Sequence, residues 1–487
     1  MDERYIAAAD LGTSKIALAV ARVEGDNVQV IYYDEEPSEG MLQSYIFNPK
    51  KLAAPLGRII SKAENELGIK ILQLVSGLPR YYVRQEIATG ELPRTDPGNN
   101  ITAEEISSLK NMALDSYPLE GADKEIIYGA VAQSFSTDDF HQIKEEDVEG
   151  MVSDIFEGNF KIFIGKRKNV ANMDMVFNGL GIASACKYFS PDSLAKIVLT
   201  SEEMDNGVAL IDLGGGVSSV SVYKNGILRH YGAIPFGGKT ITSDIKNEGG
   251  FSMDLAESIK IAYGACMPDK LASMSEKVLV IRYKDRGSEK QLSVRYLSEI
   301  ITARATEIIN ALLWEIQSSG FADELRSGVV ITGGGAELVN IGNLIRELSG
   351  YNVRTGYPMH KYSCEGCAGV GETSSASVLG MLISAKNEFR TLNCLTTPPR
   401  IVEKDDESDP GQKETDDTNF DSVFNKDAWE KAPDAKKPKK SSGKTGGNGK
   451  SVKDGGKKGG TWKVITKLGD LFEKAYSEME EEDNERI

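Results

Sequence analysis

The feature that most constrains this chain is a motif that occurs twice: a buried strand, the tripeptide Asp-Leu-Gly, hydroxyl side chains and a second strand. One copy is IAAADLGTSKIALAV (6–20), and the other is VALIDLGGGVSS (208–219). Short apolar runs that meet at glycines are typical of β-hairpins. Glycine lets the backbone N–H groups of such a turn approach a phosphate, although a single turn of this kind is also compatible with a purely structural role. Two copies, one in each half of the chain, predict an internal duplication.

Two further motifs follow the second copy of this motif along the chain. The run VVITGGGA (329–336) predicts a buried strand that leads into glycines and a helix, and Glu257 and Lys260 lie on one face of a predicted helix. In this order the four motifs resemble the actin-like ATPases, in which the hairpins hold the phosphates of ATP, the glycine-rich strand end holds adenosine, and the Glu–Lys pair contacts the ribose. The resemblance implies an α/β fold, the actin-like two-lobed ATPase fold, with the nucleotide between the lobes.

The same resemblance assigns roles to individual residues. The implied ATP-binding residues are Gly12, Thr13, Ser14, Lys15, Gly214, Gly215, Gly216, Ser218, Glu257, Lys260, Gly333, Gly334 and Gly335. Asp10 and Asp212 are the implied catalytic residues, and Mg²⁺ would be held at these carboxylates through water, with no direct metal ligand. The segment Asn178–Cys186 has no Gln, Glu or Asp, the residue types that align the attacking water in active relatives. We therefore leave ATP hydrolysis open and expect it to be slow at most.

Length and charge limit the classes of function. A chain of 487 residues exceeds what one core supports, so we expect two subdivided lobes and a tail. A net charge of −16 argues against nonspecific binding of nucleic acid. The chain starts without a signal-peptide pattern and has no run of about eighteen apolar residues, which predicts a cytoplasmic protein. Cys364 and Cys367 have no second cysteine pair nearby, so we expect two free thiols in a loop and no metal site.

Residues 84–166 predict a small α+β insert subdomain, in which a capping box at Thr102 starts a helix. The insert opens after SGLP (76–79), and its placement resembles the FtsA family of bacterial cell-division proteins. This resemblance covers nearly all of residues 5–385 and is strongest at LRHYGAIPFGGKTITSDI (228–245). The pilus protein PilM shares the insert, so the insert alone does not separate the two families.

The FtsA resemblance also implies a division into domains. The expected domains are a first-lobe core at 1–83, 167–193 and 360–390, the insert at 84–166, a second-lobe core at 194–240 and 305–359, a small subdomain at 241–304, a disordered linker at 391–460 and a terminal helix at 461–487. Helices are predicted at Leu52–Leu67 and Leu297–Gln317 from their apolar spacing. The linker is acidic and then rich in lysine, glycine and serine, a composition that cannot bury a core.

The terminal helix is predicted to be amphipathic. At ~100° per residue, its apolar half contains the expected membrane-binding residues Trp462, Ile465, Leu468, Leu471, Phe472 and Tyr476. Such a face at the end of a linker is buried against a membrane interface or a protein. The lysine-rich stretch before the helix favours binding to an anionic membrane surface, whereas the acidic segment 480–483 weakens that binding. FtsA proteins carry a membrane-targeting helix at this position, and PilM lacks one.

The FtsA resemblance implies an ATP-binding protein that polymerises and anchors FtsZ filaments to the cytoplasmic face of the cell membrane at the division site. The implied partners are the C-terminal tail of FtsZ at residues 241–304, other copies of the chain, the anionic membrane surface, and other division proteins through the insert. The alternatives are a PilM-like pilus-assembly adaptor, which the tail helix disfavours, and a small-molecule kinase or chaperone-type ATPase on the same fold. A kinase would need a catalytic base, and a chaperone a substrate-binding domain after residue 390.

Overall fold

The computed structural model describes residues 3–94, 96, 98–282, 289–359 and 361–396. The predicted terminal helix, with its six membrane-binding residues, lies outside the described residues, as does the predicted linker from residue 397 onward. The described chain is a mixed α/β structure built on a six-stranded sheet and a five-stranded sheet. This is the predicted α/β, two-lobed class, with one large sheet in each lobe.

The first sheet is formed mainly by the N-terminal part of the chain. Its elements are β1 (Arg4–Leu11), β2 (Lys15–Glu24), β3 (Asn27–Pro37), the short pair β4 (Met41–Leu42) and β5 (Tyr45–Ile46), α1 (Pro49–Leu67) and β6 (Gln73–Gly77). Helix α1 begins where the Asn48 side chain accepts a hydrogen bond from the Lys51 N–H, and it ends at Gly68 in a left-handed conformation. Its predicted apolar stripe, including Leu52, is buried.

The insert forms its own small layer. Its elements are β7 (Arg84–Pro93), α2 (Ala103–Ser116), β8 (Glu125–Thr137), α3 (Glu145–Val148) and β9 (Ile155–Lys166). The three strands pair in the order β7-β9-β8, all antiparallel, and α2 packs on them over a separate core that includes Phe135, Phe156 and Phe160. The predicted capping box is present, because Thr102 and Glu105 each accept a backbone hydrogen bond from the other.

The chain then completes the first sheet and enters the second lobe. The next elements are α4 (Arg167–Gly179), β10 (Ala183–Tyr188), α5 (Ser190–Val198), α6 (Ser201–Asn206), β11 (Val208–Leu213), β12 (Ser218–Lys224), β13 (Ile227–Ile234), α7 (Gly238–Gly249), α8 (Met253–Tyr263), β14 (Val278–Arg282) and β15 (Glu289–Ser293). Strands β14 and β15 form a separate antiparallel pair. Helices α7 and α8 pack against each other.

The last described elements complete the second lobe and then return to the first lobe with β18 and α11. They are α9 (Val294–Ser318), β16 (Val329–Thr332), α10 (Ile341–Ser349), β17 (Val353–Thr355), β18 (Ser363–Cys364) and α11 (Ala376–Glu388). Helix α9 begins three residues before the predicted Leu297, because Ser293 caps it through the Tyr296 N–H. Helix α11 packs on α5 and β1. Cys364 and Cys367 are free thiols, as predicted.

The two large sheets repeat one topology. The first sheet has the order β10-β6-β1-β2-β3-β18, and the second has the order β17-β16-β11-β12-β13. In each sheet the motif hairpin is antiparallel, its first strand runs parallel to a strand on one side, and its second strand is antiparallel to the strand that follows. Strands β6, β1, β2 and β3 of the first sheet thus correspond to β16, β11, β12 and β13 of the second. The duplicated motif predicts such a repeated sheet.

The ordered chain continues past the predicted start of the linker at residue 391. Cys394 and Leu395 are buried, and the Cys394 N–H donates to the Tyr5 carbonyl at 2.7 Å. The Asn393 side chain also accepts from the Tyr5 N–H at 3.2 Å. Two apolar side chains and a backbone pairing thus fix residues 391–396 beside β1, although the sequence analysis assigned these six residues to the linker. None of the helices in the described ranges is long and apolar enough to cross a membrane.

Candidate functional site

The two motif hairpins line one cavity of about 640 Å³. All of the residues predicted to bind ATP line this cavity, together with both predicted catalytic aspartates. The two turns are closed in the same way: the Gly12 N–H donates to the Lys15 carbonyl at 3.0 Å, and the Gly214 N–H donates to the Val217 carbonyl at 3.1 Å. A Cβ at Gly12 would lie 2.6 Å from the Lys15 carbonyl oxygen, so this tight turn requires glycine.

The two hairpins also contact each other across the lobes. A Cβ at Gly215 would lie 2.8 Å from the Ser14 Cβ, and one at Gly216 would lie 2.6 Å from the Thr13 Cγ2. The sequence interpretation assigned these glycines to the approach of a ligand. The structure adds a second reason, because their missing side chains let the hairpin of one lobe pack directly on the hairpin of the other.

Helix α7 holds the second hairpin in position and links it to the first. The N–H groups of Gly238 and Lys239 donate to the carbonyls of Gly214 and Gly215 at 2.9 and 2.7 Å. The Lys239 side chain then reaches the other lobe, where its Nζ donates to the Thr13 carbonyl at 2.6 Å. Burial lowers the pKa of Lys239. Lys239 was not among the predicted site residues, although it lies in the segment that most resembles FtsA.

Asp10 and Asp212, one from each hairpin, face a single cation. The guanidinium of Arg80 is hydrogen-bonded to Asp212 Oδ2, and its Nη2 lies 3.5 Å from both carboxylate oxygens of Asp10. The side chains are mostly buried, with exposed fractions of 16% for Arg80, 23% for Asp10 and 6% for Asp212. Arg80 therefore bridges the two equivalent acids of the duplication.

The pKa values of this group reflect burial and charge acting against each other. Burial lowers the pKa of Arg80, but the charges of Asp212 and Asp10 outweigh it and raise that pKa above its ordinary value. Burial raises the pKa of Asp212, and the charge of Arg80 only partly offsets this effect. The guanidinium is thus permanently charged, whereas the Asp212 carboxylate is held in an environment that disfavours its charge.

Arg80 is a site residue that the sequence interpretation missed. It follows β6 in the loop Gly77–Arg80, and β6 runs parallel to β1, so the loop lies at the same sheet edge as Asp10. The carboxyl ends of parallel strands meet at one edge of a sheet, where ligands bind in open α/β folds. An arginine placed directly after a buried parallel strand was therefore the available signal.

Glu257 and Lys260 lie together on α8, as their spacing predicts. The Lys260 Nζ lies 2.8 Å from Glu257 Oε2 and donates to Thr242 Oγ1 at 2.8 Å and to the Gly238 carbonyl at 3.0 Å. Lys260 is thus held toward the start of α7, beside the second hairpin. The Glu257 carboxylate is 38% exposed at the cavity rim, where a hydroxylated ligand would find an acceptor.

The glycines after β16 complete the cavity. Gly333 has a φ of 82°, and a Cβ there would collide with Asp212 Oδ1, so only glycine fits. The run continues as a single 3₁₀ turn, Gly334–Glu337, before α10 begins at Ile341, where the sequence predicted a helix directly at the glycines. The wall beyond them is apolar and includes Ile261, a side chain that is 76% exposed. This combination provides a polar end and an apolar end within one cavity.

One buried polar atom in the cavity has no partner. Among the side chains that the structure describes, the Ser218 hydroxyl is one of six with a buried oxygen or nitrogen and no hydrogen-bond partner. It lies at the start of β12, and only Val217 separates it from the three glycines. A buried hydroxyl of this kind is usually satisfied by a ligand or an ordered water.

Within the described ranges, no group of three or more His, Cys, Asp or Glu side chains is placed to hold a metal ion. The water-mediated Mg²⁺ site that the resemblance implies at Asp10 and Asp212 stays a prediction. In this structure Arg80 is the cation between those carboxylates.

The sequence and the fold relate this chain to known proteins. A family model described as cell division protein FtsA matches residues 209–380. The chain is 30% identical to the cell division protein FtsA of Neisseria meningitidis serogroup B over 365 residues, which is 73% of this chain and 84% of that protein. It is 29% identical to the FtsA of Enterococcus hirae over 350 residues, covering 72% and 77% of the two chains.

A solved structure supports the fold assignment. The PilM-PilN type IV pilus biogenesis complex has a chain similar to this one with a TM-score of 0.56 at 14% identity, covering 78% of this chain and 98% of that chain. This likeness concerns the fold alone, whereas the identity to FtsA proteins extends over most of both sequences. The fold is actin-like, and this chain belongs to the FtsA family of cell division proteins.

Proposed function

We propose that this chain binds ATP in the cavity between its two lobes and, as a filament, anchors FtsZ to the cytoplasmic face of the membrane at the division site. The observation that carries the proposal is the convergence of four separate motifs on one cavity. Residues from Gly12 to Gly335, far apart in sequence, line the same space. Glycine turns at one end suit phosphates, and the apolar wall at the other end suits a base.

Individual contacts support the placement of the phosphates. The Ser218 hydroxyl is buried without a partner among the described residues, and it lies beside the turn of the second hairpin. Lys15, Lys239 and Lys260 bring positive charge around the two turns. The Glu257 carboxylate at the rim is placed to accept hydrogen bonds from a ribose. Hydrolysis is not part of the proposal, because the segment Asn178–Cys186 contains no Gln, Glu or Asp to align water.

Nucleotide binding is tested by isothermal titration calorimetry of the full chain with ATP and Mg²⁺. We expect saturable binding, and Ser218→Ala, which removes the unpaired hydroxyl and adds no atom, should weaken it. Ser384 also has a buried hydroxyl without a partner among the described residues, but it lies in α11 away from the cavity. Ser384→Ala is therefore a matched control that should bind ATP as the wild type does. Absence of ATP binding in a folded wild-type chain would overturn the proposal.

The proposed FtsZ contact lies in the subdomain 241–304. Two of its basic side chains are engaged within the chain: Lys260 bonds to Glu257, and Arg295 pairs with Asp269 at 2.8 Å. Lys246 at the end of α7 is exposed, which makes it the better partner for an acidic peptide. Lys246→Glu should reduce binding of a peptide from the FtsZ C-terminus, whereas the control Lys168→Glu, an exposed lysine on α4, should not. Equal binding by both variants would place the FtsZ contact elsewhere.

The proposed membrane contact rests on the terminal sequence. Trp462→Glu combined with Phe472→Glu puts two charges into the apolar half of the predicted helix. We expect the double variant to bind ATP normally and to lose co-sedimentation with vesicles of anionic lipid. The control is Lys463→Glu with Lys474→Glu, which changes the polar half and should weaken binding without abolishing it. Failure of the wild type to bind vesicles, alone and polymerised with ATP, would contradict the membrane role.

A further inference from the structure

The cation between Asp10 and Asp212 is part of the protein itself. Two carboxylates and a triphosphate in one cavity repel one another, and nucleotide sites commonly relieve this repulsion with a divalent metal. Here Arg80 contacts both acids, one from each lobe. We infer that Arg80 supplies the positive charge of this site, so that nucleotide binding by this chain requires little or no divalent cation. The inference rests on the proposed binding of ATP.

The guanidinium is held in place by groups other than the two aspartates. Its Nε donates to Ser190 Oγ at 3.1 Å, and its Nη2 donates to Ser377 Oγ at 2.7 Å. These serines lie at the starts of α5 and α11, two packed helices of the first lobe. A planar guanidinium held by four acceptors loses little conformational freedom when a ligand binds. This favours arginine over lysine between the two aspartates.

The backbone of Arg80 is fixed as well. Its N–H donates to Ser44 Oγ at 3.0 Å, and its carbonyl accepts from the Tyr231 hydroxyl at 2.5 Å. Tyr231 lies in β13 of the second lobe and is itself buried. Both ends of the residue are therefore anchored, one in each lobe. A side chain anchored in this way is a permanent part of the site, present before any ligand enters.

A hydrated Mg²⁺ would compete with Arg80 for the same oxygens. Mg²⁺ keeps several waters in a near-ideal octahedron, and those waters would need the carboxylates of Asp10 and Asp212 as acceptors. Arg80 already donates to Asp212 and lies between the two acids. A guanidinium is protonated at every pH a protein tolerates, so it carries this charge under all conditions. Lys239 and Lys260 add charge close to the second turn.

The test compares ATP affinity with Mg²⁺ and with excess EDTA, measured by calorimetry on the full chain. We expect the dissociation constant of the wild type to change by less than about fivefold when Mg²⁺ is removed. Arg80→Gln should bind ATP with Mg²⁺ but weaken by more than about 50-fold in EDTA, because the two acids then face the phosphates without a cation. The ratio of the two constants is a readout that a merely structural role of Arg80 does not change.

Two further variants keep the test decisive. Arg84→Gln removes an arginine that pairs with Glu86 and Glu125 away from the cavity, and it should keep the wild-type ratio. Arg80→Lys keeps the charge, and its ratio of dissociation constants should lie between those of the wild type and Arg80→Gln. It replaces Arg80→Gln in the test if circular dichroism shows that Arg80→Gln is not folded. A wild type that loses ATP in EDTA, or an Arg80 variant with the wild-type ratio, would overturn the inference. Absence of binding even with Mg²⁺ would instead overturn the proposed function.

Discussion

The hairpin of the first lobe and the hairpin of the second lobe share a motif, a turn hydrogen bond and a place in equivalent sheets. They differ in what they bring to the cavity. The first turn offers side chains, Thr13, Ser14 and Lys15, and its Asp10 remains 23% exposed. The second turn offers three glycines, and its Asp212 is only 6% exposed. The comparison shows that one copy of a duplicated motif presents side chains while the other presents backbone.

The largest effect is expected from giving the second hairpin a side chain. Gly215→Val would place its Cβ 2.8 Å from the Ser14 Cβ, so the two hairpins could no longer pack on each other. We expect ATP affinity, measured by calorimetry, to fall by more than about 100-fold, because the valine side chain would overlap Ser14 and push the first hairpin away.

The control for this substitution is Gly179→Val at the end of α4, where a Cβ would meet nothing within 4 Å. That variant should bind ATP as the wild type does. Unchanged affinity in a folded Gly215→Val variant would mean that the contact between the two hairpins has no role in binding.

A smaller effect is expected from cutting the side-chain link between the hairpins. Lys239→Met removes the hydrogen bond from Lys239 Nζ to the Thr13 carbonyl and leaves a side chain of similar length. A hydrogen bond from a charged donor contributes about 1.5–3 kcal/mol, so ATP affinity should fall by about tenfold or more. The control Lys224→Met removes a lysine that bonds only within the second lobe, to the Asn206 carbonyl and Glu324, and should have little effect on affinity.

The free energy of unfolding should depend on pH through the buried Asp212 carboxyl. Because burial raises the pKa of folded Asp212, the folded state holds its proton over a window that opens near pH 4 and extends up to the folded pKa. In that window the folded state binds more protons than the unfolded state, so Asp212 makes the free energy of unfolding decrease as pH rises. Asp212→Asn should remove this decrease in urea titrations, whereas the wild type should show it. The same pH dependence in the variant and the wild type would contradict this role of Asp212.

The smallest effect is expected at the first hairpin. Lys15 is paired with Glu35 at 2.5 Å, and both side chains are about one-third exposed. Glu35→Gln frees Lys15 for a phosphate, and exposed ion pairs are worth at most about 1 kcal/mol, so ATP should bind about twofold to fivefold more tightly. Glu36→Gln, whose carboxylate pairs with Lys62 and Arg58, is the control. Weaker binding by Glu35→Gln alone would show that Glu35 positions Lys15 for the ligand.

The parts of the structure that the sequence predicted are those governed by local periodicity. Apolar spacing located α1 and α9, the capping box at Thr102 located α2, and i,i+3 spacing placed Glu257 beside Lys260. The repeated motif predicted the repeated sheets. Each of these features is decided within one element or within two adjacent strands.

The parts that the sequence did not predict depend on side chains that meet only after folding. Arg80 reaches Asp212 from 132 positions away, and Lys239 reaches Thr13 from 226 positions away. Neither residue belongs to one of the four nucleotide motifs, and the residue types around it do not identify its partner in the other lobe. The pairing of Cys394 with Tyr5 was not predicted for the same reason, because it depends on the position of β1. Polar contacts between residues far apart in sequence could therefore not be predicted from the sequence.

The position of residues 391–396 has a mechanical consequence. The last described residues lie beside β1, the first strand of the chain, so both ends of the described part are on the first lobe. A force applied at either of these ends therefore acts first on the first lobe. It is transmitted to the second lobe through the contacts between the lobes, which include the packed hairpins, Lys239 and Arg80.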